Sequence, residues 1–173
     1  TLFRSFLTWF LTAIRLIPFN ALTCAAVTIL CAVICFFLLR KESKEKTECF
    51  PVDRISLIYW EELLFFIEFL MWTYLAGFRP AAYGTEKFMD YGFMEAMMRS
   101  TTLPARDLWY SEGHINYYYG GQYFAVFLTK LSHTKVELTY NLMRTFVAGL
   151  AFAMPFSLVY QMMSDRMKGQ QKS

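Results

Sequence analysis

Nineteen consecutive residues, Ala21 to Leu39, carry no charge. At the rise of an α-helix such a run is roughly 30 Å long, the thickness of a bilayer's hydrocarbon core. It reads as a membrane-crossing helix, and every other segment must be compatible with a chain that lives in lipid. The composition agrees: 56% hydrophobic and 19% aromatic residues, with 18 Phe, 11 Tyr and 10 Met in 173 residues, exceed what one soluble core needs. A formal charge of only +3, scattered along the chain, is too small to suggest a nucleic-acid partner.

Thr1 to Arg15 is apolar and aromatic apart from Arg4 and Arg15, and Leu16-Ile17-Pro18-Phe19-Asn20 has the Pro and Asn of a tight connection. A helix over about 1–16 folding back into one over 21–39 is expected. A signal peptide shares that outline, but Arg15 interrupts it and no small-residue cleavage site follows. A start at Thr1, inside a hydrophobic helix, leads us to expect an excerpt of a longer polytopic protein whose remainder is its first partner. Arg40 to Lys46 is a mixed charge run, expected as a solvated loop ending the span.

A further apolar segment, Ile55 to Phe78, has Tyr59 and Trp60 towards one end and Trp72 and Tyr74 towards the other, like interfacial aromatic belts. Within it lie Glu61, Glu62 and Glu68. Glu61 and Glu68 are seven apart and share a helix face, while Glu62 sits about 100° round from Glu61. A carboxylate at mid-membrane costs several kcal/mol unless it faces a bundle interior, a wet cavity or a partner. Glu62 and Glu68 are thus either structural hydrogen-bonding groups or the lining of a polar pathway.

Residues 79–115 form a polar loop in which Thr85 can cap a helix over about 86–99, lying on the membrane surface. Spans over about 116–131 and 140–163 follow, the last carrying Pro155. The fold class expected is all-α, a polytopic transmembrane helical bundle with a partly helical extracytoplasmic loop. Five Lys or Arg in residues 40–54, against four in 79–115, place the former in the cytoplasm by density and the long loop outside. The tail with Arg166, Lys168 and Lys172 then also falls outside, so the raw count favours neither orientation.

The loop holds the residues with chemistry. Glu86 and Asp90 are four apart, so one helix face presents both carboxylates to a common substrate or divalent cation. The bland alternative is that they stabilise the positive end of the helix dipole. Lys87 and Arg99 can offset phosphate charge. Asp107, Trp109 and His114 lead into Asn116, Tyr117, Tyr118 and Tyr119, and aromatic faces beside amide and carboxylate groups suit a sugar ring. A tyrosine belt at the start of a span would look the same. Cys24, Cys31 and Cys35 follow helical spacing as small packing residues, and Cys49 stands alone. There is no phosphate-binding glycine loop, catalytic Ser/His/Asp set or dinucleotide fingerprint.

Glu86-Lys87-Phe88-Met89-Asp90, Arg99-Ser100, Leu103-Pro104-Ala105-Arg106-Asp107-Leu108-Trp109 and Asn116-Tyr117-Tyr118-Tyr119 resemble the motifs of the YYY membrane protein family, Chlor_Arch_YYY, a prokaryotic family of unassigned function. Glu62 and Tyr140-Asn141-Leu142 also match, so the likeness covers most of residues 1–160. Phe88 replaces a family proline, prolines around Asp107 are missing, and Gly120-Gly121-Gln122 stands where the family has an aromatic-Gly-His ending. That family in turn looks like the GT-C glycosyltransferases, which place an acidic motif in the first extracytoplasmic loop. The resemblance implies a GT-C-like core fragment in the prokaryotic cell membrane, moving a sugar from a lipid-linked polyprenyl-phosphate donor. Asp90 and Glu86 would be catalytic, with a divalent cation between them as an option, and Lys87, Arg99, Asp107, Trp109, His114, Asn116 and Tyr117 to Tyr119 would bind substrate. A transporter using Glu62, Glu68 and Gln122, or a noncatalytic envelope scaffold, is the alternative.

Overall fold

A computed structural model describes residues 2–45, 52–81 and 86–170. Six helices follow one another: α1 (Leu2–Ala13), α2 (Ala21–Glu45), α3 (Val52–Gly77), α4 (Lys87–Arg99), α5 (Gly120–Ser132) and α6 (Val136–Gln170). The described residues contain no strand, only an isolated antiparallel bridge between Arg106 and His114. The fold is all-α, as expected. It divides into two compact units, residues 1–47 with 81–140, and residues 48–80 with 141–173.

In the first unit α5 is central, packed on α1, α2 and α4. The face α1 turns inward is hydroxylic: Ser5, Thr8 and Thr12, spaced by three and four, are buried, while Leu2, Phe3, Phe6 and Phe10 are exposed. Ser5 Oγ donates to Leu2 O at 2.8 Å and Thr8 Oγ1 to Arg4 O at 3.0 Å, so those two hydroxyls are satisfied within the helix. Hiding small polar groups and showing phenyl rings is the inverse of a water-soluble helix, and it is how membrane helices pack.

α2 likewise exposes Phe36 to Leu39, but the residues it buries, Cys24, Val27 and Cys31, are small and apolar. Cys35, expected in the same packing stripe, is exposed, because the far half of α2 turns no buried face to a neighbour. Cys49 and Thr85 lie outside the described residues.

α1 ends where Arg15 takes a left-handed backbone (φ 60°) and Pro18 follows. Asn20 Oδ1 accepts from the Thr23 N–H at 2.9 Å and so caps α2. The turn between them carries Phe19, wholly buried, whose ring meets Tyr123 at 5.4 Å. Phe19 N donates to Thr101 O at 2.7 Å. Lys130 Nζ donates to Phe19 O at 3.1 Å and Met98 O at 3.0 Å and sits 4.5 Å from the Phe19 ring centroid. One buried ammonium thus ties the α1–α2 turn and the end of α4 to α5.

In the second unit α3 packs on the distal part of α6. Phe65 meets Phe146 edge-on at 5.5 Å, Thr73 Oγ1 donates to Thr145 Oγ1 at 3.0 Å, and Asn141 Nδ2 donates to Pro80 O at 2.9 Å. Gly149 allows the close approach: a Cβ there would lie 3.1 Å from Phe65 Cε2 and 3.3 Å from the Phe65 carbonyl oxygen. Gly149→Leu is expected to destabilise this pair by about 1–3 kcal/mol, and Gly149→Ala by less, in unfolding from mixed detergent micelles.

Several boundaries differ from expectation. Residues 40–45, expected as loop, continue α2, since Arg, Lys and Glu are good helix formers. The helix expected from residue 116 begins at Gly120, because Tyr117 to Tyr119 form a turn closed by Tyr119 N donating to Tyr117 O at 2.9 Å. It ends where His133 adopts a left-handed backbone (φ 53°). With 13 residues, roughly 20 Å, α5 is shorter than the 116–131 span expected and than a hydrocarbon core is thick. Two described helices are long and apolar enough to cross, over Ala21–Lys41 and Val136–Met167. α3, with 26 residues, has the length but also three glutamates. Pro155 does lie inside α6.

Candidate functional site

The carboxylates of the long loop lie in the first unit, at the start of α4. Glu86 is the residue before the helix and its side chain makes no capping bond, which leaves the carboxylate exposed. Asp90, one turn on, is half-buried. Its Oδ1 accepts from Gln122 Nε2 at 2.7 Å, a bond between α4 and the first turn of α5. Gln122 is the site residue that the substrate-binding expectation missed. The signal in the sequence was only its place after the Gly120-Gly121 pair, with nothing to connect it to a residue 32 positions earlier.

Tyr117 completes the cluster. Its hydroxyl donates to that of Tyr118, and their ring centroids are 3.8 Å apart. The phenol is raised above its ordinary range, first by that hydrogen bond, then by burial and by the nearby charges of Tyr118, Glu86 and Asp90. Both carboxylates therefore act on the same tyrosine, which stays a neutral donor through neutral pH. In Asp90→Asn the Tyr117 titration is expected to move back towards the normal value, read by ultraviolet difference absorbance with Tyr118 replaced by Phe in both proteins.

An aromatic wall backs this cluster. Trp109 lies edge-on to Phe88 at 6.2 Å and to Phe93 at 5.6 Å, and Phe93 meets Tyr117 at 6.3 Å. Phe93 is buried, whereas Phe88, Trp109, Tyr117 and Tyr118 remain exposed enough to stack on a ligand. Gly92 lets the loop press on α4, since a Cβ there would come within 2.9 Å of Leu108 Cδ1.

Other expected site residues have structural work. Asp107 Oδ1 accepts from the N–H groups of Trp109 at 2.8 Å and Tyr110 at 3.3 Å, shaping the turn that presents Trp109. His114 pairs through its backbone with Arg106, and its side chain is exposed. Arg99 closes the other end of α4, where Nε donates to Glu95 O at 3.2 Å, nine residues or about 14 Å along the axis from Asp90. Tyr119 turns away from its two neighbours: its hydroxyl accepts from the Trp9 indole N–H at 3.1 Å. Lys87 is half-exposed and Asn116 exposed, both next to the cluster in the chain. Glu62 and Glu68 belong to the second unit, Glu62 exposed and Glu68 half-buried.

Among the described residues no group of three or more His, Cys, Asp or Glu side chains could hold a metal ion. Glu86 and Asp90 are a two-carboxylate set, which suits a hard cation such as Mg²⁺ that takes its other ligands from water and phosphate.

Helices that expose aromatic and aliphatic side chains, two of the described ones long and apolar enough to cross a bilayer, define an integral-membrane protein of all-helical fold. The family model described as uncharacterized membrane protein, DUF2298, matches residues 3–172, and the chain belongs to that family. No curated protein and no solved structure matches it.

Proposed function

We propose that this chain is the acidic-loop portion of an integral-membrane glycosyltransferase of the prokaryotic cell envelope, taking a sugar from a polyprenyl-phosphate donor to an extracytoplasmic acceptor. The observation that carries the reading is the bond of 2.7 Å from Gln122 to Asp90, which leaves the second Asp90 oxygen for a ligand beside Glu86 and Tyr117. The likeness to the YYY family and to GT-C enzymes supports it at the level of architecture.

In this reading Asp90 takes the proton of an acceptor hydroxyl as its oxygen attacks the anomeric carbon. The bond from that carbon to the donor phosphate breaks, and its electron pair leaves on the phosphate. Lys87 offsets charge there as a point cation. Tyr117 and Tyr118 supply stacking faces and Trp109 an apolar edge for the sugar. In the alternative role, with the proton taken by another group, Glu86 and Asp90 would hold a divalent cation that would supply charge neutralisation at the phosphate. Arg99 is assigned no part, because it lies at the far end of α4.

The test is mass spectrometry of glycolipids and envelope glycans from cells with and without the full-length protein. Loss of one glycan upholds the reading and names the product. An unchanged profile, with the protein expressed in the control, removes it.

A further inference from the structure

Asp90 is held by a side chain whose own hydrogen bonding is incomplete. Gln122 Nε2 donates to Asp90 Oδ1 at 2.7 Å, while Gln122 Oε1 is shut off from solvent and accepts no hydrogen bond among the described residues. Beside an ionised Asp90 the amide has this one orientation, because the reverse would set a carbonyl oxygen against a carboxylate oxygen. A sealed, unpaired carbonyl is costly, and an apolar side chain of similar length would fill the same space without it. Packing therefore does not account for a glutamine at this position.

Joining α4 to α5 does not account for it either. The two helices are already tied at the far end of α4, where Lys130 Nζ donates to Met98 O at 3.0 Å, and Met97 of α4 and Val126 and Phe127 of α5 are wholly buried. What the bond adds is local to the carboxylate. Asp90 lies half-buried in the first turn of α4, and with one oxygen fixed its carboxylate can no longer turn about its terminal torsion. There is room beside the bond: Gly120 and Gly121, just before Gln122, are exposed, and a Cβ on either would have no neighbouring segment within 4 Å.

We infer that Gln122 is a positioning residue of the acidic site: it grips Asp90 by Oδ1, keeps the carboxylate beside Tyr117 and leaves Oδ2 for the acceptor hydroxyl. Its part in turnover rests on the sugar-transfer reading, whereas the grip itself does not. Gln122 takes no proton and touches no reacting atom. It acts through Asp90, by holding the base where the proton has only a short way to move, and a group displaced by about 1 Å from such a geometry can lose on the order of 100-fold in rate. An amide also carries no charge, so it orients Asp90 without forming an ion pair with it.

Two readouts on the full-length protein test it, one with turnover and one without. Gln122→Leu and Gln122→Met keep most of the volume and lose the donor, so either serves should the other fail to insert. In native membranes each is expected to lower kcat at least about tenfold with the acceptor KM within about twofold, and Gln122→His, whose Nε2–H reaches about as far, is expected to recover most of the rate. An unchanged kcat, a loss carried by KM, or no recovery with Gln122→His would overturn the inference. The second readout is the fluorine NMR titration, in nanodiscs, of a fluorotyrosine in place of Tyr117 with Tyr118→Phe in every sample. Tyr117 is raised in part by the charge of Asp90, so loss of the Gln122 donor is expected to lower that titration as the freed carboxylate leaves the ring, and to change nothing once Asp90→Asn is present. No fall, or an equal fall in both backgrounds, would overturn the inference. A wild-type protein that transfers no sugar removes the proposed function instead, and the fluorine titration then decides the grip of Gln122 by itself.

Discussion

Asp90→Asn is expected to lower formation of the transferred-sugar product at least about 100-fold in membranes carrying the full-length protein, the scale on which a lost general base acts. The substitution is close to isosteric, and Asn Oδ1 still accepts from Gln122 at the position where Asp90 Oδ1 does so at 2.7 Å. What disappears is the charge and the basicity. Glu86→Gln is the matched comparison, since Glu86 makes no capping bond whose loss would disturb α4. A large fall in both variants points to shared holding of a cation, and a fall in Asp90→Asn alone assigns the base. Full product from both variants, at equal protein level, would leave the two carboxylates as helix-terminal charges and turn the loop into a scaffold.

Lys130→Ala is expected to destabilise the protein by about 3 kcal/mol, measured by unfolding from mixed detergent micelles or as a lowered Tm in nanodiscs. Lys130 is 7% exposed and gives hydrogen bonds to two carbonyls from different elements, Phe19 O and Met98 O. Removing the ammonium strands both acceptors and opens a void against the Phe19 ring. Lys130→Met separates the two contributions: it fills most of the volume but donates nothing, so it should recover only part of the loss. A Lys130→Met protein as stable as the wild type would show that the carbonyls find other donors.

Much of this architecture was legible in the chain. The uncharged run from Ala21 to Leu39 lies within α2, and Ile55 to Phe78 corresponds to α3 within three residues at either end. Glu86 and Asp90 fall at the start of α4, where their four-residue spacing and the helix dipole both favour them. The boundaries that moved did so for local reasons, such as the turn at Tyr117 to Tyr119 that delays α5.

The roles of individual loop residues were less legible, because one residue type serves both chemistry and turn formation. Asp107 reads as a third carboxylate for substrate, and its Oδ1 also accepts two backbone N–H groups of its own loop. Tyr117, Tyr118 and Tyr119 are alike as letters. Yet Tyr117 and Tyr118 stack beside the carboxylates, while Tyr119 is bonded to the indole of Trp9, 110 positions away.

Partition into lipid and helix formation are additive properties of neighbouring residues, so runs of hydrophobicity, charge and spacing sufficed to establish an all-helical membrane chain with an acidic loop helix. Partners across the fold obey no such periodicity. That Gln122 reaches Asp90, that Lys130 reaches Phe19, and that the oxygens of Glu61 and Glu68 are sealed without a donor among the described residues, were decided only when separate helices came together. A hydrogen bond between distant segments depends on where two backbones cross, and no single stretch of the chain encodes that crossing.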